Sequence, residues 1–229
     1  DTSLCLLRGN PLDLSAPPNI LLTQTFSQKY ILKKWGGVVP EIAARNHLQK
    51  LVPILDSIFS KTGLSIDDLD LIGVTAYPGL LGPLLTGINA AKTLSLFTKC
   101  SITPVNHLYA HLEAVHISNQ INYPYLGLLF SGGHSQFTFV ESPTKFSIIG
   151  TTLDDAAGEA FDKGGKMLGL GYPAGKIIDE RSKNGDPSKF SFPIGLKNSK
   201  TPNMSFSGVK TSLRSFIEGE PVKPVFRKV

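Results

Sequence analysis

The sequence predicts an α/β fold, and three features of its patterning predict it. Short apolar runs bounded by turn residues recur through the first half, and longer stretches between them return apolar residues every three or four positions. A cluster of strand-like runs then gives way to further helical patterns. Residues 4–7 read as a first strand, and residues 20–26 as a second after the Pro17-Pro18 turn. Gly36-Gly37 punctuates. Pro40 then opens a helix in which Leu48, Leu51, Val52, Leu55, Ile58 and Phe59 share a face. Pro53 is expected to kink that helix, because it has no amide hydrogen to donate. Residues 69–75, set between acidic residues and Pro78-Gly79, read as a buried strand. Residues 82–97 read as a second helix, packed closely through Gly87, Ala90 and Ala91. Residues 102–105 form the next strand, which delivers the chain to His107. Residues 125–130, 136–140 and 146–150 make a meander, after which helical patterns return at 156–168 and 174–182. The change of pattern near residues 117–124 marks an expected boundary between two lobes, with a cleft between them and the histidines at its edge.

Composition limits the function classes. The chain has 229 residues, 41% hydrophobic and 18% charged, enough to bury a substantial core as one large domain or two small ones. Its two cysteines, Cys5 and Cys100, argue against a disulfide scaffold and fit a reducing compartment; both are expected to be buried small apolar groups. No run is long and apolar enough to span a bilayer and no cleavable signal opens the chain, so a soluble intracellular protein is the expectation. The net charge of +5 favours an anionic partner, RNA among the candidates. Basic residues gather at Lys29, Lys33 and Lys34, and again at Lys197, Lys200, Lys210, Arg214, Lys223, Arg227 and Lys228.

The chemistry-bearing residues concentrate in one stretch. In His107-Leu108-Tyr109-Ala110-His111 the two imidazoles are four apart, so a helix presents both on one face, where they can hold a metal ion. Ser131-Gly132-Gly133-His134 can cradle an anion, because glycine lets backbone amides approach it without a Cβ clash. The Asp154–Lys163 block then supplies carboxylates. Each motif also has a plain structural reading. The histidines can be neighbours on a helix, the glycines a hairpin turn, and Asp154-Asp155 the N-cap of the following helix. Glu159 and Lys163 are spaced for a purely local ion pair. Together the motifs point to a metal-assisted enzyme acting on a phosphate-bearing substrate.

A family resemblance rests on more than these. Gly36-Gly37-Val38-Val39-Pro40-Glu41, Pro78-Gly79-Leu80-Leu81-Gly82, His107-x-x-x-His111, Ser131-Gly132-Gly133-His134-Ser135-Gln136, the Asp154–Lys163 block, Tyr172-Pro173-x-Gly175 and Ser205-Phe206-Ser207-Gly208-Val209-Lys210-Thr211 stand in one order across nearly the whole chain. The set resembles the TsaD family, whose members transfer the threonylcarbamoyl group of L-threonylcarbamoyl-AMP to N6 of adenosine 37 in tRNAs reading ANN codons. That resemblance implies an actin-like, sugar-kinase and Hsp70-like (ASKHA) fold of two RNase H-like lobes, here residues 1–118 and an incomplete 119–229, with the chain truncated at both ends. It implies His107 and His111 as ligands of one divalent metal ion per subunit, Fe2+ or Zn2+. It implies Phe130, Ser131, Gly132, Gly133, His134, Asp162, Gly175 and Asp179 as substrate-binding residues. The catalytic residue is left unassigned: the first carboxylate of the family's opening motif precedes Asp1-Thr2, and the Asp that is the third metal ligand lies in a later segment. Tyr77 and Tyr109-Ala110 depart from the family's commoner residues.

Partners follow from the same resemblance. tRNA and threonylcarbamoyl-AMP are the substrates. Bacterial relatives work with the inactive paralogue TsaB and the ATPase TsaE, archaeal and eukaryotic cytosolic ones within KEOPS, and mitochondrial ones as homodimers. The helical segments 39–59 and 82–97 are the expected dimerisation face. The expected location is cytoplasmic, or mitochondrial for an organellar homologue, with no membrane attachment. Three rival readings stand beside this one: a metalloprotease, against which the lack of a Glu beside either histidine counts; a sugar kinase, whose signature does not follow the Ser131–His134 loop; and a non-catalytic scaffold paralogue of the same complex, which would have no need of paired histidines.

Overall fold

The computed structural model describes residues 1–10, 17–28, 30, 34–35 and 38–219. The Gly36-Gly37 turn, Lys29, Lys33, Lys223, Arg227 and Lys228 lie outside them. The architecture is mixed α/β, and its contacts separate into two compact units, Asp1–Ile121 and Asn122–Val229.

In the first unit β1 (Thr2–Arg8) pairs antiparallel with β2 (Asn19–Phe26). Helix α1 (Pro40–Thr62) packs across both strands through Ala43, Ile54 and Ile58, its buried side. Pro40 occupies the first turn, where a missing amide costs nothing, and Gly63 ends the helix in the left-handed conformation with its amide returned to the Phe59 carbonyl. The helix assignment runs continuously through Pro53, the position at which a kink is expected, and the helix packs on α2, β1 and β2. A 3-10 turn, Ile66–Asp68, precedes β3 (Leu71–Tyr77). This strand starts two residues later than the apolar run, since Leu69 closes the turn. Its side chains alternate between exposed and half-buried, which corrects the expectation of a strand covered on both faces. Helix α2 (Leu81–Thr98) carries the chain back to β4 (Ser101–Asn106), which lies parallel to β3 and completes a β-α-β crossover. Cys100 is buried, its thiol 2.6 Å from the Leu69 carbonyl. Cys5 is exposed, because the alternation of β1 puts it on the open face, and this corrects the expectation that both thiols are covered.

The second unit is built on an antiparallel meander, β5 (Tyr125–Phe130), β6 (Ser135–Ser142) and β7 (Lys145–Thr151), in the order β5-β6-β7. The middle strand is covered, with Ser135, Gln136, Thr138 and Val140 all buried. Among the described residues three helices follow: α4 (Ala157–Met167), α5 (Gly175–Ser182) and α6 (Ser207–Ile217). Helix α4 packs against both of the others.

Candidate functional site

Helix α3 (His107–Glu113) follows directly from β4, and local chemistry sets its start. The Asn106 side chain accepts the Leu108 amide at 2.9 Å and the Tyr109 amide at 3.1 Å, satisfying two donors that no helical carbonyl can reach. Leu108 and Leu112, four apart, are buried and anchor the helix on the first unit. Their sequence neighbours His107 and His111 therefore share an adjacent face, which is exposed. The two Nε2 atoms stand 3.3 Å apart with the rings edge to face. An ion at the usual zinc–imidazole distance, about 2.0–2.1 Å from each nitrogen, joins two nitrogens so spaced at close to the tetrahedral angle. The pair thus fits a metal ion. Among the described residues no third His, Cys, Asp or Glu joins them to complete a ligand set.

The remaining predicted residues belong to the second unit. Phe130 ends β5 and is 53% exposed. The loop after it is closed by its own atoms: the Ser131 amide donates to the His134 carbonyl at 2.8 Å, and the Ser131 hydroxyl accepts the His134 amide at 3.0 Å. That hydroxyl is thus occupied in shaping the loop. Gly132 and Gly133 form its exposed tip, with open space where a Cβ would stand. The His134 ring is half-buried beside them.

Helix α4 buttresses this loop. The Ala157 amide donates to Ser135 Oγ at 2.9 Å and the Gly158 amide to the Ser131 carbonyl at 3.2 Å. A Cβ on Gly158 would lie 2.6 Å from that carbonyl oxygen, so only glycine permits the approach. The cap of α4 is Ala156, whose amide reaches Glu159 Oε2 at 3.4 Å, and not the Asp154-Asp155 pair expected there. Asp154 instead serves the start of α6. Its carboxylate accepts the Ser205 and Ser207 hydroxyls, each at 2.6 Å, and the Phe206 and Ser207 amides at 2.8 and 3.1 Å. Burial alone would raise the Asp154 pKa, but these hydrogen bonds outweigh it and hold the carboxyl below its ordinary value.

Asp155 ties the same two helices by charge. Lys163 of α4 stands 2.7 Å and Lys210 of α6 2.5 Å from its oxygens. Here too burial pushes the pKa up and the two ammonium groups bring it below the usual carboxylate range. Lys163 also meets Glu159 at 2.8 Å, so the expected local pair exists as one arm of a wider network. Asp162, on α4, accepts the Ala174 amide at 2.8 Å through Oδ1 and thereby fixes the turn that starts α5. Gly175 is the first residue of α5, and Asp179 lies one turn on, exposed, with Lys183 at 4.0 Å. The second unit therefore gathers the glycine loop, α4 and the Asp154–Glu159 turn, while the histidine pair belongs to the first. Sequence reasoning missed the buttressing residues Ser135 and Gly158. The Gly158-Glu159 dipeptide at a helix start, three residues after paired aspartates, was the available signal.

A family profile described as TsaD: tRNA N6-adenosine threonylcarbamoyltransferase matches residues 19–222. The protein of that name from Thermosipho africanus (strain TCF52B) is 48% identical over 195 residues, covering 85% of this chain and 59% of the relative. Its counterpart from Thermotoga neapolitana is 44% identical over 203 residues, covering 88% and 62%. That of Methylobacterium sp. (strain 4-46) is 46% identical over 191 residues, covering 83% and 54%. The chain thus spans about three fifths of the length of these curated relatives. Among solved structures, YeaZ from Pseudomonas aeruginosa aligns over 76% of this chain and 77% of its own, at 12% identity and a TM-score of 0.36, a likeness that determines no detail of the fold.

Proposed function

We propose, starting from the fact that the chain belongs to the TsaD (tRNA N6-adenosine threonylcarbamoyltransferase) family, that it takes part in transferring a threonylcarbamoyl group from L-threonylcarbamoyl-AMP to N6 of adenosine 37 in tRNAs reading ANN codons. The observation that carries the reading is the facing of the His107 and His111 Nε2 atoms at 3.3 Å on an exposed helix face, a donor pair suited to a divalent ion.

The donor is a mixed anhydride of a carbamic acid and a phosphate. In the transfer, adenosine N6 attacks the carbamoyl carbon, a C–N bond forms, and the C–O bond to phosphate breaks. AMP leaves with the electron pair, and the N6 proton passes to a base. Adenosine N6 is a poor nucleophile, because its lone pair is delocalised into the ring, so orientation and charge stabilisation decide the rate. His107 and His111 would hold a divalent ion, Fe2+ or Zn2+, which when bound supplies a Lewis acid and a template for the donor's oxygens. The Gly132 and Gly133 amides are suited to the phosphate, since glycine lets a backbone N–H approach an anion without a Cβ clash and both residues are exposed. Phe130 and His134 flank that loop, His134 as a donor to the leaving phosphate. Asp162 keeps Oδ2 for a ribose hydroxyl while Oδ1 holds Ala174. Asp179, exposed on α5 beside Gly175, is available for the second hydroxyl. The base is assigned to the family's opening motif, of which this chain carries Asp1-Thr2.

Family membership also supports reading the two units as the lobes of an ASKHA fold. It supports a TsaB-like paralogue and a TsaE-like ATPase as partners in a bacterial setting, or a homodimer in a mitochondrial one, and a cytoplasmic or mitochondrial location. No described helix is long and apolar enough to cross a membrane. The deciding experiment is reconstitution with threonine, bicarbonate, ATP, a donor-forming enzyme and tRNA, reading modified nucleoside by mass spectrometry. Absence of the threonylcarbamoylated nucleoside with the partners present would refute the proposal.

A further inference from the structure

Ser205-Phe206-Ser207 carried the family resemblance but received no role in the chemistry. The structure holds this segment unusually firmly. Just before it, Met204 makes a parallel bridge to Thr152, with its amide on the Thr151 carbonyl at 3.0 Å and its carbonyl accepting the Leu153 amide at 2.9 Å. Asn203 Oδ1 accepts the Thr151 amide at 3.0 Å. A Cβ on Gly195 would lie 2.2 Å from the Ser205 carbonyl oxygen, so the chain is pressed from that side as well. Asp154 then fills both its oxygens with four donors from residues 205–207. One acceptor suffices to cap a helix, so this arrangement over-determines the position of one residue, Phe206.

The Phe206 ring stands edge to face with Phe130, centroids 6.5 Å apart and planes at 80°. Phe130 immediately precedes the glycine loop and leaves half its surface open. An aromatic corner thus adjoins the exposed glycine loop assigned above to a phosphate. In an edge-to-face pair one ring's edge meets the other's face, so each ring keeps a face not spent on the pair, and a stacked base tolerates little displacement of its platform.

We propose that Phe206, positioned by Asp154, forms with Phe130 the corner on which the planar base of a nucleoside 5'-phosphate stacks. The inference rests on the donor being an adenylate, as argued above. It adds a specificity residue that the resemblance did not assign.

The test is AMP binding by calorimetry to the protein with its partners, comparing wild type with Phe206→Leu and Phe206→Tyr. Leucine keeps the apolar bulk and removes the π face; tyrosine keeps both. Stacking predicts about tenfold weaker AMP binding for Phe206→Leu, wild-type affinity for Phe206→Tyr, and unchanged affinity of either variant for inorganic phosphate. In turnover, the KM for the donor should rise in Phe206→Leu with the KM for tRNA unmoved. Equal AMP affinity in wild type and Phe206→Leu overturns the corner while leaving the transferase reading intact. A wild-type protein that transfers threonylcarbamoyl yet binds no AMP overturns it too. Loss of transfer in the wild type strikes the transferase reading itself. A lower melting temperature with unaltered AMP affinity would reduce Phe206 to packing and refute the proposal.

Discussion

Removing the Asp154 carboxylate should loosen α6 from the meander, and the geometry sets the size of the effect. Four donors converge on it at 2.6–3.1 Å. A hydrogen bond to an ionised acceptor contributes about 1.5–3 kcal/mol and a helix cap about 0.5–2 kcal/mol. The four are not independent. The Ser205 and Ser207 hydroxyls can rotate to water once the carboxylate is gone, and Asp154 is only half-buried, so solvent screens its charge. The Phe206 and Ser207 amides have no such freedom, and their loss dominates. Asp154→Ala should therefore destabilise the second unit by about 2–4 kcal/mol, lowering its melting temperature on the order of 10–20 °C for a unit of roughly 100 residues. Thermal unfolding by circular dichroism measures the first quantity. Hydrogen exchange across residues 203–210 measures where it acts. The pH dependence supplies a second check. The Asp154 pKa is held below its ordinary value in the folded protein, so the stabilisation is complete above the unfolded value, about pH 4, and is lost as pH falls through the folded one. The gap between wild type and Asp154→Ala must then narrow below about pH 4. A gap that widens on acidification, or a destabilisation under about 0.5 kcal/mol with unaltered exchange, would refute the assignment of α6's anchor to this carboxylate.

Three further outcomes are expected. His111→Ala should lower zinc affinity by at least ten- to a hundredfold, the range seen when even an outer partner of a metal ligand is lost; calorimetry with the metal alone checks it, and unchanged affinity would exclude the histidine pair as the site. Gly158→Ala should cost about 1–3 kcal/mol and displace the glycine loop, since the new methyl group meets backbone atoms of Ser131 and Gly132; an unperturbed amide spectrum for residues 131–134 would contradict the buttress. Lys210→Met leaves Asp155 with burial and only Lys163 to oppose it, so its pKa rises and the acid-unfolding midpoint should move up; an unchanged or downward midpoint would show that Lys210 does not stabilise the carboxylate.

How far the molecule was legible from its residues varied with the range of the interactions. Helix α3 could be read because everything that makes it is local: an Asn cap, two leucines four apart beneath and two histidines four apart beside them. The meander could be read for the same reason, since alternation and turn residues carry it. Cys5 misled because residues within an apolar run still alternate between faces. Asp154 misled most. Its place before a helix suggests a cap, yet the helix it caps begins more than fifty residues later, and a sequence window cannot rank a near partner against one delivered by tertiary packing.

By itself the sequence determined the α/β class, the positions of most elements, the shared face of His107 and His111, and membership of the family, since each depends on spacing along the chain. Tertiary structure alone decided which groups are already committed. The Ser131 hydroxyl is taken up in closing its own loop, Asp162 Oδ1 holds the start of α5, and Asp154 pins Phe206 beside Phe130. The physical reason is that a polar atom's partner is chosen by distance in space. Residue type and spacing supply a hydrogen-bonding capacity, and only the packed chain assigns its use.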